Sequence, residues 1–239
     1  IFPYLFKKMA DCSYENIFQR ATLVLGQKTQ DRLRSVNIII FGVGGVGSWC
    51  AEGLIRAGVE HLTIVDSDNV DVSNINRQRM ATVLSIGQSK VEALKSELLK
   101  INPEAKITAI QKVFCAESAE EFKLEQYDYI VDAIDSLKDK AALILAATSA
   151  PGIFFSSMGA ARKIDPTHIK VGNFWKVRDC PLGAALRKKL RRSGTLPEHS
   201  FQCVYGDEVI GEQKGSLVHI TCIFGMTLSG LIIKDIHDK

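Results

Sequence analysis

The run NIIIFGVGGVGSWC, Asn37 to Cys50, constrains the fold of this chain more than any other segment. Asn37 to Phe41 is a short, nearly unbroken apolar stretch, which reads as a buried strand between layers of helix. Gly42, Gly44, Gly45 and Gly47 then crowd the turn into a helix expected over 45–58. Missing Cβ atoms there let backbone N–H groups and a helix N-terminus close on an anion. By default such a strand, turn and helix mark a dinucleotide site.

The next segment, IVDSDNVDVSNINRQ from Ile64 to Gln78, changes that reading. Asp66 ends the following strand, where an acid can bond ribose hydroxyls. Beyond it comes a polar loop with Asp68, Asn74, Asn76, Arg77 and Gln78. Hydride transfer has no need of so many charge-handling groups beside a ribose, whereas holding and splitting a triphosphate does. Lys90 follows Gly87 at the start of a helix expected over 88–100, so its ammonium sits near a positive helix end and suits an anion. Asp132 and Asp135 end the strand YIVDAID, a pattern open to an acid/base pair, a metal site or a helix cap.

Further strands are expected over 61–66, 106–111, 128–133, 153–157 and 169–174, with helices near 117–123, 138–149 and 182–192. The alternation implies an α/β, Rossmann-like, mostly parallel sheet with helices on both faces and a C-terminal extension adding strands and a helix. Gly42, Asp66 and Asp132, all at strand ends, should meet in one crevice. The expected organisation is an arm and helix over 1–35, an ATP-binding core over 36–160, and a substrate-side extension over 161–239. Within the extension, 193–215 reads as an irregular crossover. The apolar run Ser216 to Ile233 reads as a buried helix rather than a membrane anchor, although it is about a span long.

Apolar content of 46% and charged content of 24% suit a soluble globular protein, and a net charge of +3 does not by itself require nucleic acid. Six cysteines with no CxxC exclude a tetrathiolate zinc site and suit a reducing, cytoplasmic compartment. The opening IFPYLFKKM is too short for a signal peptide, and Met9 makes the residues before it candidates for non-native sequence.

The motifs GxGGVGS, VDxDxVxxSNxNRQ, a GxxK helix start and a DxxD strand end resemble the ubiquitin-activating-like adenylating enzymes, from about Arg20 to Gly159. The segments INPEAKI, VDAIDSLKDKAALI, SSMGAARKIDPTHIKV and PLGAALRKKLRR look most like the tRNA threonylcarbamoyladenosine dehydratases within that group. The resemblance implies ATP and Mg²⁺ as cofactors, with adenylation of the threonine carboxylate and cyclisation with loss of water. It implies Asp66 on the ribose, Asn74, Arg77 and Lys90 on phosphates, Asp135 on magnesium with Lys140 beyond it, and Arg20 reaching the ATP of a homodimer partner. It adds modified tRNA as substrate and a sulfur-transfer protein as a further partner. Arg187, Lys188, Arg191 and Arg192, on the basic helix, are candidates for RNA phosphates. Trp49 and Trp175 are possible base-stacking residues, Trp49 reading more as core. Cys180, just before that helix, is weighed as a thioester nucleophile against an incidental thiol; internal cyclisation needs no covalent enzyme. The alternatives are activation of a sulfur-carrier protein's C-terminus, a non-catalytic nucleotide-binding scaffold, and a dehydrogenase.

Overall fold

The computed structural model describes residues 12–239; the opening apolar run and Met9 lie outside the described residues. Strand β1 (Asn37–Phe41) runs through the middle of a seven-stranded sheet. Ile38 and Ile40 enter the apolar cluster on one face, Ile39 and Phe41 the cluster on the other. Side chains alternate across a strand, so an unbroken apolar run is one covered on both sides. The cover on the first face comes from α3 (Gly47–Ala57), α4 (Lys90–Leu99) and α7 (Val218–Asp238). On the second it comes from α5 (Leu137–Ser149) and α6 (Pro181–Ser193).

Beside β1 lie β2 (His61–Val65) and then β3 (Lys106–Ile110). On its other side come β4 (Tyr129–Asp132), β5 (Ile153–Ser157), β7 (Gln202–Gly206) and the edge strand β6 (Ile169–Asn173). Every pairing is parallel except β6 with β7. The chain therefore leaves β1 in one direction and returns to β4 in the other. That reversal opens a crevice at the carboxyl ends of β1 and β4, where such sheets bind ligands.

One expectation changes: the stretch 193–215, read as an irregular crossover, contains β7. The C-terminal extension adds β6, β7 and α7 to the core. QCVYG carries little pattern of its own; its extended state comes from pairing with β5 on one edge and β6 on the other. The other expected strands and helices fall within two residues of their bounds, except that the terminal helix runs on to Asp238, five residues past Ile233.

Helix α7 is long and apolar enough to cross a membrane by length and composition. Here its Ile220, Phe224, Leu228 and Ile232, four residues apart, are fully buried in the core. Gly225 permits the close crossing with α3, since a Cβ there would stand 2.4 Å from the Val46 carbonyl oxygen. The N-terminal helices α1 (Tyr14–Leu25) and α2 (Gln27–Ser35) are tied to the same subunit. The Tyr14 hydroxyl donates to the Gly58 carbonyl and accepts from Gln30 Nε2, both at 2.7 Å. The Arg34 guanidinium lies 4.1 Å from the Tyr14 ring centre.

Candidate active site

At the end of β1 the glycines have distinct tasks. Gly42 takes φ +82° and passes so close to β4's continuation that a Cβ would meet the Ala133 carbonyl oxygen at 2.7 Å. Gly47 allows α3 to start against that turn, for a Cβ there would fall 1.9 Å from Gly42 O. It packs and is not among the cleft-lining residues, whereas Gly42, Gly44 and Gly45 are. The buried Ser48 pins the turn, its Oγ donating to Gly44 O at 2.6 Å and accepting from Arg79 N at 3.2 Å.

Asp66 faces that turn from the end of β2. Its Oδ2 accepts from Val43 N at 2.8 Å and its Oδ1 from Asp68 N at 3.0 Å, so the carboxylate is held before any ligand arrives. Asp68 in turn pairs with Lys90, the first residue of α4, at 2.7 Å. Among the described residues Arg77 has no carboxylate partner; its Nη1 donates to Ser73 O at 2.8 Å and Asn76 Oδ1 at 2.9 Å, leaving further donors along the cleft. Asn74 lines the cleft while capping its own turn, accepting from Asp71 N at 3.1 Å. Gln78 is buried, with Oε1 unpartnered and a cleft position opposite Gly44. Asn76 differs from expectation: it is exposed and donates to Ser216 O at 2.9 Å, outside the cleft lining. Trp49 supports the loop from below through Nε1–H to Arg77 O at 3.0 Å.

Asp132, expected in the crevice with Gly42 and Asp66, is instead a structural acid outside the cleft lining. It is fully buried, 2.7 Å from an equally buried Lys140, and accepts from Ser156 Oγ at 2.6 Å and Ile134 N at 3.0 Å. Lys140 donates to Ile134 O at 2.8 Å as well. The pair thus anchors the loop that carries Asp135. Asp135 itself is exposed on the cleft wall and has no hydrogen bond or ion pair among the described residues. A free carboxylate beside a phosphate-sized space suits Mg²⁺, which is bound by one or two carboxylates together with substrate phosphates. No group of three His, Cys, Asp or Glu side chains is placed to hold a metal ion among the described residues.

The whole cleft measures about 920 Å³ and has a second half. Ser157 to Lys163, Cys180 to Leu182, and Lys214 to Ser216 line it. Arg77, Lys90, Lys112, Arg162, Lys163 and Lys214 face Asp66, Asp68, Asp135 and Asp139, so cations outnumber acids, as a polyanion requires. Cys180 is buried as the N-cap residue of α6. On α6, Arg187 turns inward, donating to Phe174 O at 3.0 Å, while Arg191 lies over Trp175 at 5.4 Å. Lys188 and Arg192 stay exposed. Trp175 is thereby partly covered by its own neighbours, Phe174 and Arg191.

The ThiF family model matches residues 18–207. This chain belongs to the ThiF family. It is 36% identical over 191 residues to a Bacillus subtilis tRNA threonylcarbamoyladenosine dehydratase, covering 80% of this chain and 74% of the relative. The Escherichia coli tRNA N6-threonylcarbamoyladenosine dehydratase solved in complex with ATP superposes with a TM-score of 0.88 at 30% identity, over 93% of this chain and 94% of that one. A Thermus thermophilus sulfur carrier protein adenylyltransferase matches at 32% identity over 51% of this chain and 46% of its own length.

For this ThiF member, sequence reasoning passed over Ser48, Lys112, Lys163 and Lys214. Lys163 had a readable signal, the second of two adjacent cations, Arg162 and Lys163, after the small residues Gly159, Ala160 and Ala161 just past a strand end. The others carry no pattern that separates them from ordinary polar residues.

Proposed function

We propose that this chain is an ATP-dependent dehydratase that cyclises N6-threonylcarbamoyladenosine in tRNA through a carboxyl-adenylate. The observation that carries the reading is the reach of the likeness. It extends through α6, β6 and β7, which build the second half of the cleft, whereas the sulfur-carrier activator matches about half of the chain. The sequence also lacks any CxxC.

In this reading the threonine carboxylate attacks the α-phosphorus of ATP and pyrophosphate leaves. An atom of the neighbouring carbamoyl group then attacks the acyl carbon, gives up its proton, and AMP departs. The elements of one water leave the nucleoside and end in AMP and pyrophosphate. Both reacting groups belong to one substrate, so proximity supplies the second nucleophile and Cys180 is not required to form a thioester. The glycine turn and Asp66 hold the nucleotide; Arg77 and Lys90 neutralise charge on the departing phosphates. Asp135 would hold Mg²⁺, which supplies Lewis-acid neutralisation of the phosphates when bound.

Arg20 is exposed on α1, one turn from Leu23 and Val24, which are 81% and 82% exposed. An arginine beside an uncovered apolar pair on one helix face supports a homodimer in which Arg20 reaches the partner's ATP. Lys188, Arg191 and Arg192 form the tRNA-facing patch, and a sulfur-transfer protein is a further partner to test by co-purification. Six free thiols support a reducing, cytoplasmic setting.

The test is ATP–pyrophosphate exchange dependent on the modified tRNA. Lys90→Ala and Arg77→Ala should each slow exchange by about 10²–10³ with the fold unchanged, and Asp135→Ala should be partly rescued by high Mg²⁺. Near-wild-type exchange in Lys90→Ala and Arg77→Ala would overturn the assigned phosphate path.

A further inference from the structure

Three lysines among the described residues are more than nine-tenths buried: Lys90, Lys140 and Lys163. Two are neutralised, Lys90 by Asp68 and Lys140 by Asp132, each at 2.7 Å. Lys163, 3% exposed, has no carboxylate within ion-pair distance among the described residues. Its one hydrogen bond goes to the carbonyl oxygen of Glu208. The Glu208 carboxylate is engaged elsewhere, accepting from Ile164 N at 2.7 Å and Asp165 N at 3.0 Å. Asp207 is likewise held by His168 and Lys170.

An ammonium carries three donors, so two of Lys163's remain for a ligand. Burial without a counterion is unfavourable, and desolvation draws the Lys163 pKa down. The fold nevertheless makes room for this side chain. At Gly206 in β7 a Cβ would stand 2.7 Å from Lys163 Cε, so the missing side chain there leaves the stem its present path and a larger residue would have to displace it. The ammonium lies along the second half of the cleft, in company with Met158, Gly159, Ala160, Ala161 and Cys180. Of the other cations in this half, Arg162 is tied to the Ile210 and Gly211 carbonyl oxygens and Lys214 is exposed, so the enclosed Lys163 among small and apolar groups fits one compact organic anion. The triphosphate has its own cations in Arg77 and Lys90.

We propose that Lys163 binds the carboxylate of the acceptor nucleoside, serving as its counterion until that carboxylate is adenylated. The assignment rests on the dehydratase reading and names the acceptor end of the same site. It explains why this buried cation lacks a carboxylate partner among the described residues while its two counterparts have one.

The test measures binding, without ATP, of anticodon stem-loops carrying threonylcarbamoyladenosine as the free acid or as its methyl ester. Wild-type protein should prefer the acid by about 10- to 100-fold, the range of a charge-assisted hydrogen bond. Lys163→Met should bring that ratio close to one. ATP affinity and the salt dependence of stem-loop binding should be unchanged. Melting temperature should not fall, because the substitution removes a buried, uncompensated charge. Gly206→Ala, which keeps the charge but crowds the stem, should lower the ratio part-way. An undiminished preference for the acid in Lys163→Met would overturn the assignment. Equal losses for acid and ester with a lower melting temperature would also overturn it, in favour of a packing role. Failure of the dehydratase reading shows separately, as absence of ATP-dependent cyclisation by the wild-type protein.

Discussion

Replacing Lys140 by methionine should destabilise this protein severely, although the residue touches no solvent and need touch no substrate. The change keeps most of the side-chain volume and removes the ammonium. Asp132 then keeps its bonds from Ser156 Oγ and Ile134 N but loses its counter-charge at 2.7 Å, and Ile134 O loses its donor at 2.8 Å. Leaving one member of a buried ion pair uncompensated costs about 3–5 kcal/mol. Against a total of roughly 5–15 kcal/mol that is a large fraction, and for a chain of this size it lowers Tm by about 6–20 °C. Urea and thermal unfolding followed by tryptophan fluorescence would measure it. Adding Asp132→Asn should recover more than half of the loss, since a neutral amide can still accept from Ile134 N without needing a cation. Activity of the folded single variant should drop too, because the pair anchors the loop bearing Asp135. A loss below about 1 kcal/mol in Lys140→Met would refute the reasoning, as would a double variant no more stable than the single.

Mixing Arg20→Ala subunits with Lys90→Ala subunits should restore one working site per heterodimer; no recovery after confirmed subunit exchange would rule out a shared arginine. Changing Lys188, Arg191 and Arg192 together to glutamine should reduce the slope of log affinity for tRNA against log salt by about 2, at about 0.7 per phosphate contact, with ATP affinity unchanged. Tyr14→Phe should cost about 1–3 kcal/mol, because Gly58 O and Gln30 lose a buried partner. Burial pushes the Tyr14 hydroxyl up to about 12 from 10.0. A raised value favours the folded state fully below the unfolded pKa, and that contribution disappears as pH climbs from 10 towards 12. The wild-type stability advantage over Tyr14→Phe should therefore shrink in that window in urea titrations.

Local chemistry made half of the site legible. The apolar run of β1, the glycines after it and Asp66 at the next strand end act through backbone geometry, which the sequence writes directly. What escaped depends on partners distant in the chain. β7 is a strand because β5 and β6 flank it. Asp132 looks like a site acid at a strand end, yet Lys140 and Ser156 converge on it inside the core. Asn76 shares its loop with Arg77 and turns out to Ser216. Arg187 belongs to the basic run and folds back onto Phe174. Lys163 is notable for a counterion that the fold does not bring to it, and no linear pattern records such a lack.

The central claim is that one cleft adenylates and then cyclises a tRNA nucleoside. The most direct test incubates the protein with ATP, Mg²⁺ and tRNA bearing threonylcarbamoyladenosine, then measures nucleoside mass after mild digestion. The expected product is lighter by one water, formed in step with one AMP per nucleoside and slowed by about 10²–10³ in Lys90→Ala. An unchanged nucleoside mass, with ATP consumed only when a sulfur-carrier protein is added, would contradict it.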